Sequence, residues 1–225
     1  MANRALAAIV SGSALCFLCC PVHSDPVVLA DKGVPRATVI LPDKPLPAQE
    51  FAARELLYHV RIATGVELPL CKESERHADA EFVVYVGFCR ATKKAGIDIE
   101  SLPPSGHVVK TIGNSLFLVG RDRDRGSVGH YWTADWQGTL YAVYDFLETE
   151  MHVRWLWPGE LGEHIPARAR LAVGATDRSG RPRFRQAWLR PAGSKGSHVP
   201  GWSSPEAKAK FHEAQKLFLI RHRFG

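Results

Sequence analysis

Between Gly138 and Trp157 the hydrophobic period of the chain changes from 3.6 to 2, and that change limits the folds open to it. Leu140, Val143, Tyr144 and Leu147 fall at i, i+3, i+4 and i+7, one apolar stripe along a helix. Gly138 and Thr139 open that helix, with Thr139 as the expected N-cap. Asp145, Glu148 and Glu150 then belong to its solvated face. Val153, Trp155 and Trp157 alternate with Arg154 and Leu156, which is strand spacing, until Pro158-Gly159 stops the run. A helix that feeds directly into an aromatic strand has to lay its stripe on a sheet.

Upstream signals supply the sheet. Ala37 to Leu41 is a short β-rich run and the expected first strand. Pro47 sits in the first turn of a helix over about 48–64, and Gly65 is its stop. Val66 to Leu70 returns the chain to the sheet. Glu81 to Gly87 is continuously apolar, the mark of a central strand covered on both faces. Phe88 to Ala95 reads as a short helix. Two β-runs flank Gly113-Asn114 between Gly106 and Gly120, a hairpin signal. Further alternating runs lie at Ala169–Gly174 and Arg183–Arg190. A Gly/Ser/Pro linker, 191–205, leads to an amphipathic helix from Glu206 to Arg221.

The first 24 residues read differently. Arg4 precedes an apolar run from Ala5 to Cys20, too short for a typical spanning helix, and Val22-His23-Ser24 offers a cleavage site before Asp25. The expectation is a signal peptide and an exported chain, periplasmic or extracellular. Cys19-Cys20 raises lipoprotein anchoring as an alternative, against which Phe17-Leu18 lacks the small residues of a lipid-attachment site. No membrane span is expected after residue 24. Cys71 and Cys89 remain, either as a disulfide, which an exported compartment permits, or as two buried thiols.

Charge is divided unevenly. Residues 25–167 carry 15 Lys/Arg against 20 Asp/Glu, whereas 168–225 carry 13 against 3. Any affinity for polyanions is therefore local to the last quarter. There Arg181 to Arg190 interleaves basic and aromatic residues, as nucleic-acid-binding surfaces do. Export argues against nucleic acid, and acidic polysaccharide would suit the same charges.

Two stretches carry a family resemblance. Gly138 to Glu148 reads Gly-Thr-Leu-Tyr-Ala-Val-Tyr-Asp-Phe-Leu-Glu, and Val153 to Gly162 follows the pattern Val-Arg-Trp-x-x-Pro-Gly-Glu-x-Gly. Ala52 to Pro69 is a helix ending in Thr64-Gly65 before a Leu-Pro strand. Together these resemble the small α+β domain that precedes the catalytic barrel in bacterial β-hexosaminidases and α-glucuronidases, and especially their secreted relatives. Met151-His152 departs from the pattern, standing where Leu-Gly is expected. The resemblance runs from about Thr38 to Gly180. It implies an α+β fold: a mixed sheet with two main helices packed on it, like the second domain of hexosaminidases. It also implies an organisation of signal peptide (1–24), N-terminal α+β domain (25–180), and a linker with the start of a following barrel (181–225).

By that resemblance the chain is a non-catalytic accessory domain of an exported glycoside hydrolase-like protein. Its partner is carbohydrate, met through a downstream barrel; nucleic acid is not expected. The alternative is an exported module binding acidic polysaccharide through the basic last quarter. Glycosidases need two carboxylates about 5–10 Å apart, which the resembling enzymes keep on the barrel. Glu160 and Glu163, in a loop after the aromatic strand, are the best-placed acids here, yet no catalytic residue is assigned. Arg154, Trp157 and Glu160 are the candidates to face substrate or barrel. Against that, strand alternation would bury both Trp155 and Trp157 and pair Arg154 with a carboxylate. Asp122 and Asp124, alternating with Arg121, Arg123 and Arg125, read as self-pairing charges in a solvated loop. Ser127, His130 and Asp135 have the residue types of a hydrolase triad without a Gly-x-Ser-x-Gly elbow. With no phosphate-binding glycine loop and no His-Glu-x-x-His pattern, no cofactor or metal is expected.

Overall fold

The computed structural model describes residues 25–76, 80–124, 136–183 and 204–224. In chain order the elements are β1 (Val27–Asp31), β2 (Val34–Pro35), β3 (Ala37–Leu41), α1 (Pro47–Thr64), β4 (Leu70–Lys72), β5 (Phe82–Val86), α2 (Arg90–Lys94), β6 (His107–Ile112), β7 (Ser115–Gly120), α3 (Gly138–Thr149), β8 (Arg154–Trp155), β9 (Glu163–His164), β10 (Arg170–Val173), β11 (Asp177–Gly180) and α4 (Pro205–Arg221). The leader, most of the 121–137 loop with its Ser127, His130 and Asp135, and the linker with the Arg183–Arg190 run lie outside the described residues, Arg183 itself excepted.

The main sheet has the order β11-β6-β7-β5-β3-β4. β4, β3, β5 and β7 run parallel to one another, and β6 and β11 are added antiparallel. The fold is thus α+β on a mixed sheet. Period-2 alternation divides its side chains between two cores. Val39, Leu41, Val84, Val86, Leu116 and Leu118 face α1 and α3. Ile40, Val83, Tyr85, Phe117 and Val119 face the other side, where Ala91 of α2 and Ile97 cover them. Every residue of β5 is buried, as its unbroken apolar run requires of a strand covered on both faces.

Boundaries follow local chemistry. Pro47 is the first residue of α1, and Gly65 ends it in the left-handed region at φ 71°, its N–H returning to the Arg61 carbonyl. The 107–120 hairpin turns through Gly113 at φ 53°. Between α3 and β8, Met151 fills the core while His152 adopts φ 58°, so the Met-His pair does the work of Leu-Gly.

Several expectations are corrected. The first strand is β1, paired antiparallel with β10, not β3. The chain rejoins the main sheet only at Leu70. Thr139 is not the N-cap of α3: the cap position is Gln137, and Thr139 lies inside the helix. There its N–H and hydroxyl donate to Asp122 at 2.8 and 2.5 Å. Asp122 is accordingly no solvated self-paired charge. It closes the α3 N-terminus from the preceding loop and also accepts from Gln49 Nε2 of α1 at 3.0 Å. Asp145 and Glu150 are tied to Arg178 of β11, and Glu148 to Arg223, rather than lying free on a solvated face. Cys71 and Cys89 are free thiols, the latter buried. Among the described residues no helix is long and apolar enough to cross a membrane.

Candidate functional site

The site grows from the junction of α3 with β8. Val153 and Trp155 are buried and Arg154 is exposed, so the predicted alternation begins as expected. It then stops. β8 pairs with β9 over two residues only, Arg154 opposite His164 and Trp155 opposite Glu163. Beyond that pairing no described strand continues over the next inward position, and Trp157 is 63% exposed. Burial of both tryptophans is therefore half right.

Residues 156–162 form a narrow loop. Gly159 turns it at φ 92°, and the Leu156 N–H bonds the Gly162 carbonyl at 2.8 Å across its neck. A Cβ on Gly162 would fall 2.1 Å from the Trp157 carbonyl oxygen, so this neck admits no side chain there. Leu156 and Leu161 are exposed beside Trp157, as is Glu160. The Trp157 ring is tilted toward Phe211 of α4, centroids 6.4 Å apart. Among the described residues Arg154 pairs with no carboxylate. Its Nη1 donates at 2.8 Å to the Glu148 carbonyl, an open acceptor at the end of α3, and at 2.7 Å to the carbonyl of Val153 beside it in sequence. The structure brings Trp157 and Glu160 together on one loop and sets Arg154 at that loop's root.

Beneath the loop lies a buried polar cluster. Arg221, in the last turn of α4, is 4% exposed. Its Nε and Nη2 donate to the two oxygens of Glu55 at 2.8 and 3.2 Å, and its Nη1 to Glu163 at 2.5 Å. Tyr58 donates to the other Glu163 oxygen at 2.8 Å. Burial disfavours the guanidinium charge, but its bonds to Glu55 and Glu163 outweigh this and hold its pKa above the usual range. The Tyr58 hydroxyl is pushed up to about 12 by burial and by the Glu163 carboxylate.

His59 completes the cluster. Its Nδ1 lies 2.7 Å from the Glu55 carbonyl oxygen, and its Nε2 accepts from the Trp155 indole N–H at 3.1 Å. That pattern requires the neutral Nδ1–H tautomer, in keeping with a pKa lowered by burial. All four oxygens of Glu55 and Glu163 are occupied by Arg221 or Tyr58. Neither carboxylate is disposed as a nucleophile or general acid, which removes Glu163 from the catalytic candidates. Among the described residues no group of His, Cys, Asp or Glu could hold a metal ion.

Sequence reasoning did not single out Glu55, Tyr58, His59 or Arg221 as a unit. One signal was available. Glu55 falls on the same helical face as Ala52, Leu56 and His59, and Arg221 follows Leu217 at i+4, so each is a charge on an apolar face. The basic excess of the last quarter is also partly spent inside the fold, where Arg178, Arg221 and Arg223 are all ion-paired.

No family model matches the chain, and no curated protein matches it. Among solved structures it is similar to a family GH115 4-O-methyl-α-glucuronidase with specificity for decorated arabinogalactans, at TM-score 0.54 and 14% identity. That match covers 88% of this chain and 25% of the glucuronidase, so the chain spans a quarter of that enzyme's length. A chitobiase of Flavobacterium johnsoniae matches at TM-score 0.38 and 14% identity, over 80% of this chain and 23% of the chitobiase. What the chain shares with the glucuronidase is a fold: an α+β arrangement that occurs within a glycoside hydrolase.

Proposed function

We propose that this chain is an exported, non-catalytic accessory domain of a glycoside hydrolase-like protein, of the hexosaminidase second-domain type, which supports and orients a catalytic barrel. The observation that carries the reading is the 156–162 loop. It stands on a buried foundation and holds Leu156, Trp157 and Leu161 in solvent beside Glu160. An exposed tryptophan flanked by an acid suits either the apolar face of a sugar ring or an adjoining domain. Arg154, Trp157 and Glu160 are the residues assigned to that contact. The fold likeness to a quarter of a glucuronidase supports the same reading.

The purified 225-residue chain is expected to release nothing from aryl β-N-acetylglucosaminides or aryl glucuronides. The reading frame past Gly225 is expected to continue into a barrel whose strands end in Asp/Glu pairs. Turnover by the isolated chain, or a stop codon after Gly225, overturns the reading. The module for acidic polysaccharide would then be tested by retention on heparin-like polymers, which must fall steeply with salt.

A further inference from the structure

We propose that Glu55, Glu163, Tyr58 and Trp155 form a guanidinium socket, filled by Arg221, and that its occupation is what fixes the 156–162 loop. The proposal concerns how the loop is held and stands whatever the loop contacts.

Four observations converge on it. First, the two carboxylates lie on separate elements, Glu55 on α1 and Glu163 at the start of β9, and one guanidinium spans both. A planar fork with several fixed donors can do this; an ammonium, a compact point charge, cannot satisfy a bidentate site and a second carboxylate together. Second, the walls are aromatic. The Arg221 guanidinium carbon lies 5.4 Å from the Trp155 ring centroid and 6.0 Å from that of Tyr58, within cation–π range.

Third, Glu163 directly follows the loop, and its backbone pairs with Trp155 in the register that closes the neck. Fourth, beyond its neck hydrogen bonds and the Trp157–Phe211 contact the loop's side chains stand in solvent, since Leu156, Trp157, Glu160 and Leu161 are exposed. Without Arg221, two carboxylates would converge in a site shielded from water. Glu55, on a buried helical face, cannot leave. Glu163, at a loop end, can swing outward and take the β8–β9 pairing with it. Docking of α4 and presentation of Trp157 and Glu160 are therefore one event.

Hydrogen exchange of the 225-residue chain, read peptide by peptide, tests this. In Arg221→Ala, amides of 156–162 are expected to exchange at least about tenfold faster, while those of β5 keep wild-type protection. Methylguanidinium at millimolar concentration restores protection of the loop, and methylammonium at the same concentration does not. Should Arg221→Ala fail to fold, Arg221→Lys retains the charge but puts an ammonium in the socket, and is expected to show the same selective release of 156–162. Wild-type loop protection in the folded variant overturns the proposal. So does failure of methylguanidinium to restore protection in folded Arg221→Ala, or equal rescue of that variant by methylammonium.

Discussion

Gly138 is where the backbone of α3 crosses the end of β7, and Gly138→Ala measures how tightly. A Cβ there would lie 2.4 Å from the Gly106 carbonyl oxygen, 2.5 Å from the Arg121 nitrogen and 2.9 Å from the Gly120 carbonyl carbon. Ordinary contact between such atoms begins about 1 Å further out. All three neighbours are backbone: Arg121 N–H donates to Gly106 O at 2.8 Å, and Gly120 N–H, donating to Thr139 Oγ1 at 3.2 Å, ties the strand end to the helix. The helix must therefore retreat, and no side chain can simply rotate away. Overpacking of this kind costs about 1–3 kcal/mol, and three backbone contacts put Gly138 at the upper end. The better helix propensity of alanine returns at most about 1 kcal/mol. The net loss is about 2 kcal/mol, or about 4–8 °C in Tm for a domain of this size. Urea unfolding followed by circular dichroism should show a lower midpoint at unchanged slope. Gly174→Ala is the control, since a Cβ there meets nothing within 4 Å and its φ is not left-handed. A loss below about 0.5 kcal/mol for Gly138→Ala, comparable with ordinary surface substitutions, would refute the close-approach argument.

Other outcomes are expected elsewhere. Burial raises the Asp122 pKa to about 6 from the ordinary carboxyl value of 3.8, against hydrogen bonds from Thr139 and Gln49 that lower it. The folded state thus holds this proton more tightly, and the resulting stabilisation, complete below the unfolded value, is lost as pH rises through about 6. Relative to Asp122→Asn, the wild type should lose stability between about pH 4 and 6, and a flat difference in urea midpoints across that range would contradict it. Trp155→Phe removes the indole donor and leaves His59 Nε2 buried without a partner. It should cost about 1–3 kcal/mol in the same denaturation assay, and a neutral result would mean that the bond adds nothing. Both cysteines have pKa values raised by burial. Alkylation under native conditions should label Cys71 slowly and Cys89 only after unfolding, read by mass spectrometry. Recovery of a Cys71–Cys89 disulfide would contradict the free thiols.

What could be read in advance was whatever is local along the chain. Pro47 and Gly65 bracket α1 because N1 and C-cap chemistry resides in those residues themselves. The apolar run of β5 shows its two-sided burial, and Gly113 shows its turn. Long-range partners were hidden. β1 is plainly apolar, but its pairing with β10 spans nearly the whole domain. The α3 cap comes from Asp122, across a loop with no local signature. Trp157 continues an alternation that no strand among the described residues extends far enough to bury. At the candidate site, Trp157 and Glu160 were visible as a motif. The socket below them depends on a helix from the far end of the sequence meeting α1, and no spacing rule reports that.

The pairing of Val27 with Val173 has a consequence for synthesis. A ribosome working at about 5–20 residues per second emits the first of these strands about 7–30 seconds before the second. Hairpins such as β6–β7 can close at once, from neighbouring sequence. The opening strand can pair at once with β2, but the edge that β10 takes must wait uncovered, with its apolar side chains. Throughout that interval the nascent chain presents an unpaired strand edge to its surroundings, and such edges template aggregation. Whatever escorts this polypeptide has its longest task at the beginning of the domain, and is released from it only when β10 arrives.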